Sequence, residues 1–300
     1  MTSLYSAPQT LEEALAAIAE GARPVAGGTD LVVGARQGKA PLPDAVVAIH
    51  RIDALRGIAE SGGGLRLGAL VTHEQLVADP VVRKRYTAVA DASAIVGSHA
   101  TRHIGTIGGN VMNASPAMET GGPLICLGAV ALLRSQSGER QVSVEELFTA
   151  PGKTSARPDE LLTSIDLPAT APGTGSCYVR LEYRQQMEIA IVGATCVVVA
   201  DGDSITDARV AITALAPTIR RVPEAEQALT GGDGSPRAAR AAADLVAAAS
   251  QPISDVRGSD RYRRAMAAVM ARRAINAAIG RACGQDVAIP ASPALHGAVE

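Results

Sequence analysis

Two short glycine loops constrain this chain more than any other feature of its sequence. Residues 26–30 read Ala-Gly-Gly-Thr-Asp, and residues 105–110 read Gly-Thr-Ile-Gly-Gly-Asn. Glycine reaches positive φ and has no Cβ, so a loop of this kind can present consecutive backbone N–H groups to an anion. Each loop follows an apolar run of the chain. The pair therefore predicts two cradles around one pyrophosphate.

Neither loop matches the better-known nucleotide-binding motifs. The G-x-G-x-x-G fingerprint of dinucleotide-binding folds is absent from both, and no Walker A lysine follows either of them. The first loop alone is more often a plain turn. The second is more specific, because residues 111–116 continue as Val-Met-Asn-Ala-Ser-Pro and add polar groups beyond the glycines.

Composition excludes several classes of protein. The chain has 300 residues, enough for two or three domains, and a formal net charge of −2, which gives no reason to expect nucleic acid or an anionic membrane as partner. Its four cysteines stand at no metal-ligand spacing. We therefore expect reduced thiols, no metal site and a cytoplasmic location. The sequence also predicts neither a signal peptide nor a membrane-spanning segment.

The pattern of elements changes along the chain. Strands and helices alternate up to a Pro/Gly/Thr-rich stretch at residues 168–175, with one longer helix predicted over residues 80–96. After the stretch at residues 168–175 the sequence predicts three strands and then three helices. The predicted strands cover residues 176–184, 193–200 and 204–215, and the predicted helices cover residues 223–229, 236–249 and 259–283.

Three segments resemble one known family, the FAD-binding medium subunits of molybdenum hydroxylases of the xanthine dehydrogenase and carbon monoxide dehydrogenase type. Residues 26–30 resemble its first flavin-binding loop, residues 101–110 its second, and residues 184–190 a motif that opens its C-terminal domain. The resemblance implies an α+β fold. A two-lobed FAD-binding domain of the vanillyl-alcohol-oxidase type would span residues 1–175, with its lobes split near 55–60. A small C-terminal domain with a three-stranded antiparallel sheet and helices would span residues 176–300.

The resemblance also implies which residues bind one noncovalent FAD. Glu119 stands where the family usually has Asp, Arg180 where it has Lys, and Ile189 at the position packed on the isoalloxazine ring. An aliphatic ring contact agrees with an aromatic content of 2%. The implied cofactor contacts are Pro24, Val25, Ala26, Gly27, Gly28, Thr29, Asp30, Leu31, Thr106, Gly108, Gly109, Asn110, Ser115, Glu119, Leu162, Arg180 and Ile189. Without the resemblance, Leu162 and Ile189 would be core residues and Glu119 and Arg180 surface charges.

The function that the resemblance implies is electron transfer, with no catalytic residue on this chain. Electrons would come from two-iron–two-sulfur clusters on a small subunit, fed by a molybdopterin-binding large subunit, and leave through FAD to NAD, a quinone or oxygen. The resemblance implies a dimer of heterotrimers. Two alternatives stay open, a self-contained FAD-dependent oxidoreductase of the same fold and a nucleotide-binding module without redox function. The long basic helix at residues 259–283 is either a surface helix packed on its own domain or a docking face for a partner.

Overall fold

A computed structural model describes residues 4–38, 40–184 and 186–292 of the chain. The first sheet has three parallel strands, β1 (Leu4–Ser6), β2 (Arg23–Val25) and β3 (Ala45–Ala48), with β3 in the centre. Helix α1 (Leu11–Ala19) buries one apolar face against this sheet, because its leucine, alanine and isoleucine side chains recur at spacings of three and four. Helix α2 (Leu31–Arg36) follows the first glycine loop and buries none of its side chains.

A second sheet has five antiparallel strands. They are β4 (Ile58–Ser61), β5 (Gly64–Gly68), β6 (Val130–Ser135), β7 (Gly138–Ser143) and β10 (Leu161–Leu167), in the order β4–β5–β10–β6–β7. Between β5 and β6 the chain leaves the sheet for six helices that carry the second glycine loop. These helices are α3 (His73–Ala78), α4 (Pro80–Arg85), α5 (Thr87–Ala94), α6 (His99–Ile104), α7 (Ile107–Asn113) and α8 (Gly121–Cys126). Before β10 come α9 (Val144–Leu147), β8 (Phe148–Ala150) and β9 (Lys153–Thr154).

The single helix expected over residues 80–96 is wrong, because the chain breaks between α4 and α5. Tyr86, at the break, has φ −127° and ψ 45°, outside the helical region. Its ring is buried, and its hydroxyl donates a hydrogen bond of 2.8 Å to the carbonyl of Pro168. A contact with a residue 82 positions away stabilises the break. The pattern of apolar residues within positions 80–96 does not indicate this break.

The third sheet is antiparallel and runs in chain order. Its strands are β11 (Thr174–Leu181), β12 (Val192–Asp201), β13 (Ser204–Thr213) and β14 (Arg220–Arg221), followed by α10 (Pro223–Leu229), α11 (Pro236–Ala249) and α12 (Asp260–Ala282). The three long strands and the three helices were predicted. The expectation of a three-stranded sheet is corrected to four, because the two residues of β14 pair with β13 and are too short to give a sequence pattern.

The two faces of the third sheet have different neighbours. Cys177 and Val179 of β11 belong to the core formed with α11 and α12, whereas Tyr178 between them packs on α5. The buried carboxylate of Asp91 in α5 accepts hydrogen bonds from the backbone N–H of Tyr178 and from the guanidinium of Arg281 in α12. The helical excursion of the second sheet is thus tied both to β11 of the third sheet and to α12.

Candidate functional site

The first glycine loop presents a row of backbone donors. Strand β2 leads into it, and Gly28 has φ +67°, a conformation that favours glycine. Within the described part of the chain, the N–H groups of Gly27, Gly28 and Thr29 donate no hydrogen bond. Half-buried N–H groups need a partner, so these three consecutive donors are available to an anion or to water.

The structure brings the second glycine loop against the first. A Cβ on Gly27 would overlap the carbonyl oxygen of Ile104, at the end of α6, so only glycine permits this approach. A Cβ on Gly105 would lie 3.6 Å from the Thr29 hydroxyl oxygen. The loops are 76 residues apart, counted from Thr29 to Gly105, yet they pack against each other in the fold.

The second loop is held rigidly from below. The Thr106 hydroxyl accepts a hydrogen bond of 3.1 Å from the N–H of Gly109 and caps α7. The N–H of Gly108 donates to the Ala69 carbonyl, and a Cβ on Gly108 would lie 2.6 Å from that same oxygen. Gly109 is exposed, and a Cβ there would meet only the Thr106 hydroxyl, at 3.0 Å.

The glycines of both loops were predicted for two reasons, positive φ and the absence of a Cβ. Of Gly27, Gly28, Gly108 and Gly109 only Gly28 has positive φ, so the first reason is wrong for the other three. Gly27 and Gly108 are required by close packing of backbone on backbone. At Gly109 the absence of a side chain keeps the outer surface of the loop open.

Polar residues of the second loop are oriented by the turn that follows α7. Asn110 accepts a hydrogen bond of 2.5 Å at its side-chain oxygen from the Thr120 hydroxyl. Ser115 accepts one from the backbone N–H of Ala117, at 3.3 Å. The carbonyl of Pro116 accepts one from the N–H of Ala214, which ties the turn to the end of β13.

The predicted contacts Glu119 and Arg180 are buried together rather than solvated. Arg180 Nη1 lies 2.5 Å from Glu119 Oε1, and its Nε lies 2.9 Å from Glu182 Oε2. Burial raises the pKa of the Glu119 carboxyl above its usual value, although the positive charge of Arg180 opposes that shift. The alternative interpretation of both residues as surface charges is therefore wrong.

Exposed apolar side chains lie beside the second loop. Ile189 is 45% exposed, and the neighbouring Met187 is 57% exposed. The N–H of Met187 donates to the Gly97 carbonyl at 2.9 Å, which holds this segment against the start of α6. Gln185, in the same motif, lies outside the described residues. Aliphatic side chains in this position agree with the predicted contact to a planar ring.

Leu162 lies deeper than the other predicted contacts. Its side chain is 2% exposed and packs in the core between the second sheet and its helices. The next residue, Thr163, accepts at its carbonyl a hydrogen bond from the N–H of Ala69, which in turn accepts one from Gly108. Leu162 thus stands one strand behind the second loop. Any contact with a ligand would be made through its backbone.

Sequence reasoning missed the support beneath the loops. His73 is buried, and its N–H donates to the Gly105 carbonyl at 3.1 Å. Desolvation, with a smaller contribution from the charge of Arg102, lowers the pKa of His73 to about 4. Its imidazole is therefore neutral near pH 7 and acts as a packed structural side chain. The only sequence signal was its place at the start of a helix, directly after Thr72 of the capping pair Thr72 and Gln75.

The donors and their surroundings fit a diphosphate of the kind that a dinucleotide carries. Three consecutive N–H groups of the first loop have no partner among the described residues, the second loop packs against the first at Ile104 and Gly105, and Gly109 carries no side chain on the exposed surface of its loop. No cluster of three His, Cys, Asp or Glu side chains able to hold a metal occurs in residues 4–38, 40–184 and 186–292. In the same ranges no helix is both long and apolar enough to cross a membrane.

Comparison with known families gives two adjacent matches. The model of the FAD-binding domain in molybdopterin dehydrogenase matches residues 1–170. The model of the CO dehydrogenase flavoprotein C-terminal domain matches residues 178–278. Together the two matches account for nearly the whole chain.

Individual relatives agree. The carbon monoxide dehydrogenase medium chain of Hydrogenophaga pseudoflava is 32% identical over 280 residues, covering 92% of this chain and 97% of that one. The nicotine 6-hydroxylase medium subunit of Paenarthrobacter nicotinovorans is 30% identical over 276 residues, covering 90% and 95%. A solved carbon monoxide dehydrogenase from H. pseudoflava, described as lacking the Mo-pyranopterin moiety, superposes with a TM-score of 0.89 at 32% identity, covering 94% and 98%. Quinoline 2-oxidoreductase from Pseudomonas putida 86 gives 0.87 at 28% identity, covering 93% and 97%.

Proposed function

Because this chain belongs to the family of FAD-binding medium subunits of molybdenum hydroxylases, we propose that it transfers electrons from a partner subunit of its complex to an external acceptor. It receives them from iron–sulfur clusters on a small subunit and delivers them to NAD, a quinone or oxygen. The organic substrate is oxidised at a molybdopterin site on a large subunit. The relatives named above are medium chains or subunits, which supports partner chains of both kinds.

The observation that carries this proposal is the set of free donors on the first glycine loop. The N–H groups of Gly27, Gly28 and Thr29 would hold the diphosphate of FAD, with the exposed surface at Gly109 left open for the cofactor. The first N–H groups of α7 already donate to Val71, Ala69 and Thr106, so the second loop would contribute shape rather than free donors. FAD, when bound, supplies all the redox chemistry of this chain. The protein's own part is to position the cofactor and to limit access of water to it.

Several of the predicted contacts receive a specific role under this proposal. Residues of the first loop would hold the diphosphate and the adjoining ribityl chain, and Ile189, which is 45% exposed, would contact the ring. Arg180 stiffens the wall through its ion pair with Glu119. The remaining contacts are Pro24, Val25, Ala26, Asp30, Leu31, Thr106, Gly108, Gly109, Asn110, Ser115 and the backbone of Leu162.

We extend the same proposal to domains, assembly and location. Residues 1–175 form the FAD-binding domain, with its two lobes meeting near 55–60, and residues 176–300 form the C-terminal domain. The complex is a dimer of heterotrimers in the cytoplasm. The free thiols of Cys126, Cys177 and Cys196, all buried, support a reducing compartment.

Reconstitution tests the division of labour. The large and small subunits alone should reduce an artificial dye with the organic substrate, whereas reduction of the natural acceptor should also require this chain. The isolated, FAD-loaded chain should not oxidise the substrate. Substrate oxidation by this chain alone would favour the self-contained flavoenzyme. A purified chain that binds no flavin would favour the non-redox nucleotide-binding module.

A further inference from the structure

A cleft of about 520 Å³ lies between α11 and α12, and none of its lining residues belongs to the glycine loops. Its lining residues are Pro236, Arg237, Arg240, Arg272 and Asn276. Helices α11 and α12 pack on one face of the third sheet, and α5 packs on the other.

The residue spacing directs the polar side chains of both helices into the cleft. Arg237 and Arg240 are three positions apart on α11, and Arg272 and Asn276 are four apart on α12, so each pair shares one helix face. Three guanidinium groups and one amide thus line a single space. None of the described residues lining the cleft has a carboxylate.

The positive charge of α11 is not neutralised locally. Some exposed arginines of the described residues pair with an acid, as Arg66 does with Asp166 at 2.7 Å. Arg237 and Arg240 form no ion pair with any residue in the described ranges. Arg237 also lies in the first turn of α11, where the helix dipole disfavours a cation. A bound anion would convert these repulsions into attraction.

The number and arrangement of the guanidiniums favour a phosphoryl group. A carboxylate is planar and is satisfied by one guanidinium fork, whereas a phosphoryl group offers three oxygens to donors from several directions. Clefts of about 300–1,000 Å³ hold small molecules. We propose that this cleft between α11 and α12 binds the phosphoryl groups of a small phosphorylated ligand, of about the size of a nucleoside diphosphate. The site is separate from the FAD-binding loops and does not depend on the proposed function.

Calorimetric titration of the full-length, FAD-loaded protein with inorganic pyrophosphate and with ADP tests the proposal. One molar equivalent should bind, and Arg237→Ala with Arg240→Ala should weaken binding by about tenfold or more. The matched control is Arg261→Ala with Arg264→Ala, which removes the same charge from the other cleft between these helices. Affinity in the control should stay within about twofold of the parent, since only distant, screened charges are lost.

Flavin fluorescence recorded during the titration separates this site from the FAD site, because a ligand that displaces FAD raises the free flavin signal. Tighter binding of ADP than of pyrophosphate would identify a nucleotide, and the reverse would identify a free phosphate compound. Equal losses in both double variants would overturn the proposal in favour of diffuse surface charge. It would also be overturned by no binding at millimolar ligand, or by binding only of an acidic polyglutamate peptide, which would indicate a protein-docking surface.

Discussion

Glu119 and Arg180 form a buried ion pair, with Oε1 and Nη1 2.5 Å apart, between the turn that precedes α8 and the strand β11. Their side chains are 9% and 0% exposed. One residue comes from the helical excursion of the second sheet and the other from the third sheet. The pair therefore holds the C-terminal sheet against the segment that follows the second glycine loop.

Removing the cation of this pair should be costly. Arg180→Met leaves the carboxylates of Glu119 and Glu182 buried beside an apolar side chain, and we expect a loss of about 3–5 kcal/mol in unfolding free energy. Glu119→Gln keeps an acceptor for Arg180 and should cost less, about 1–2 kcal/mol. Urea denaturation of the apoprotein measures both. The control is Arg66→Met, at an exposed pair, where about 1 kcal/mol or less is expected. Equal effects at positions 66 and 180 would contradict the buried pairing.

His73 predicts a dependence of stability on pH. The unfolded chain takes up a proton on this residue below its usual pKa of 6.5, whereas the folded protein does so only near 4. Lowering the pH from 6.5 to 4 therefore favours unfolding, by about 3 kcal/mol in total. Above pH 6.5 the contribution of His73 to stability is complete.

Comparison with His73→Gln isolates that contribution. The free energy of unfolding, measured by denaturation at several pH values, should decrease less between pH 7 and pH 4 in this variant than in the parent. His103→Gln, at an exposed position, should follow the parent curve. Parallel curves for the parent and His73→Gln would show that the buried imidazole does not titrate in this range.

Valine substitutions at the adjacent Gly108 and Gly109 should have different effects, the first on folding and the second on FAD binding. Gly109→Val adds a side chain on the open surface of the second loop, so the protein should fold but lose most of its FAD. Gly108→Val places a Cβ 2.6 Å from the Ala69 carbonyl oxygen, so the fold itself should fail. Circular dichroism reports the fold, and the flavin absorbance after gel filtration reports the cofactor. Gly34→Ala, with nothing within 4 Å of the new Cβ, serves as the neutral control. Normal flavin content in folded Gly109→Val would contradict the role given to this loop.

The flavin should be held without a covalent bond. The sequence places no His or Cys in a motif for flavin attachment, and three of the cysteines are fully buried. Acid precipitation of the purified protein should release about one FAD per chain into the supernatant, in keeping with a cofactor held by backbone donors. Yellow colour that stays with the pellet after washing would contradict this expectation.

Sequence reasoning was most successful where a signal is local. The limits of α11 at residues 236–249 were predicted to the residue, because Ser235 caps the helix, Pro236 opens it, and alanines fill its interior. The two glycine loops were found for the same reason. The family assignment, which rests on them, is confirmed by the matched family models.

What failed depends on contacts between distant residues. The break between α4 and α5 lies at Tyr86, whose hydroxyl donates a hydrogen bond to the carbonyl of the distant Pro168. Glu119 pairs with Arg180, 61 positions away. Glycine is required at position 108 because the backbone of Ala69, which follows β5, leaves no room for a Cβ. No periodicity or motif encodes such pairs, so their partners become visible only once the chain is folded. The predicted cofactor contacts themselves stay predictions.

The order of strands in the second sheet has a consequence for biogenesis. The central strand β10 pairs with β5 through Ser164 and Gly68. Strand β5 is therefore synthesised almost a hundred residues before β10. At about 5–20 residues per second, that interval lasts about 5–20 s. Throughout it, the strand edge and the helices that carry the second loop have no complete sheet to pack on. The nascent chain must therefore avoid aggregation on its own or with a chaperone before the first FAD can bind.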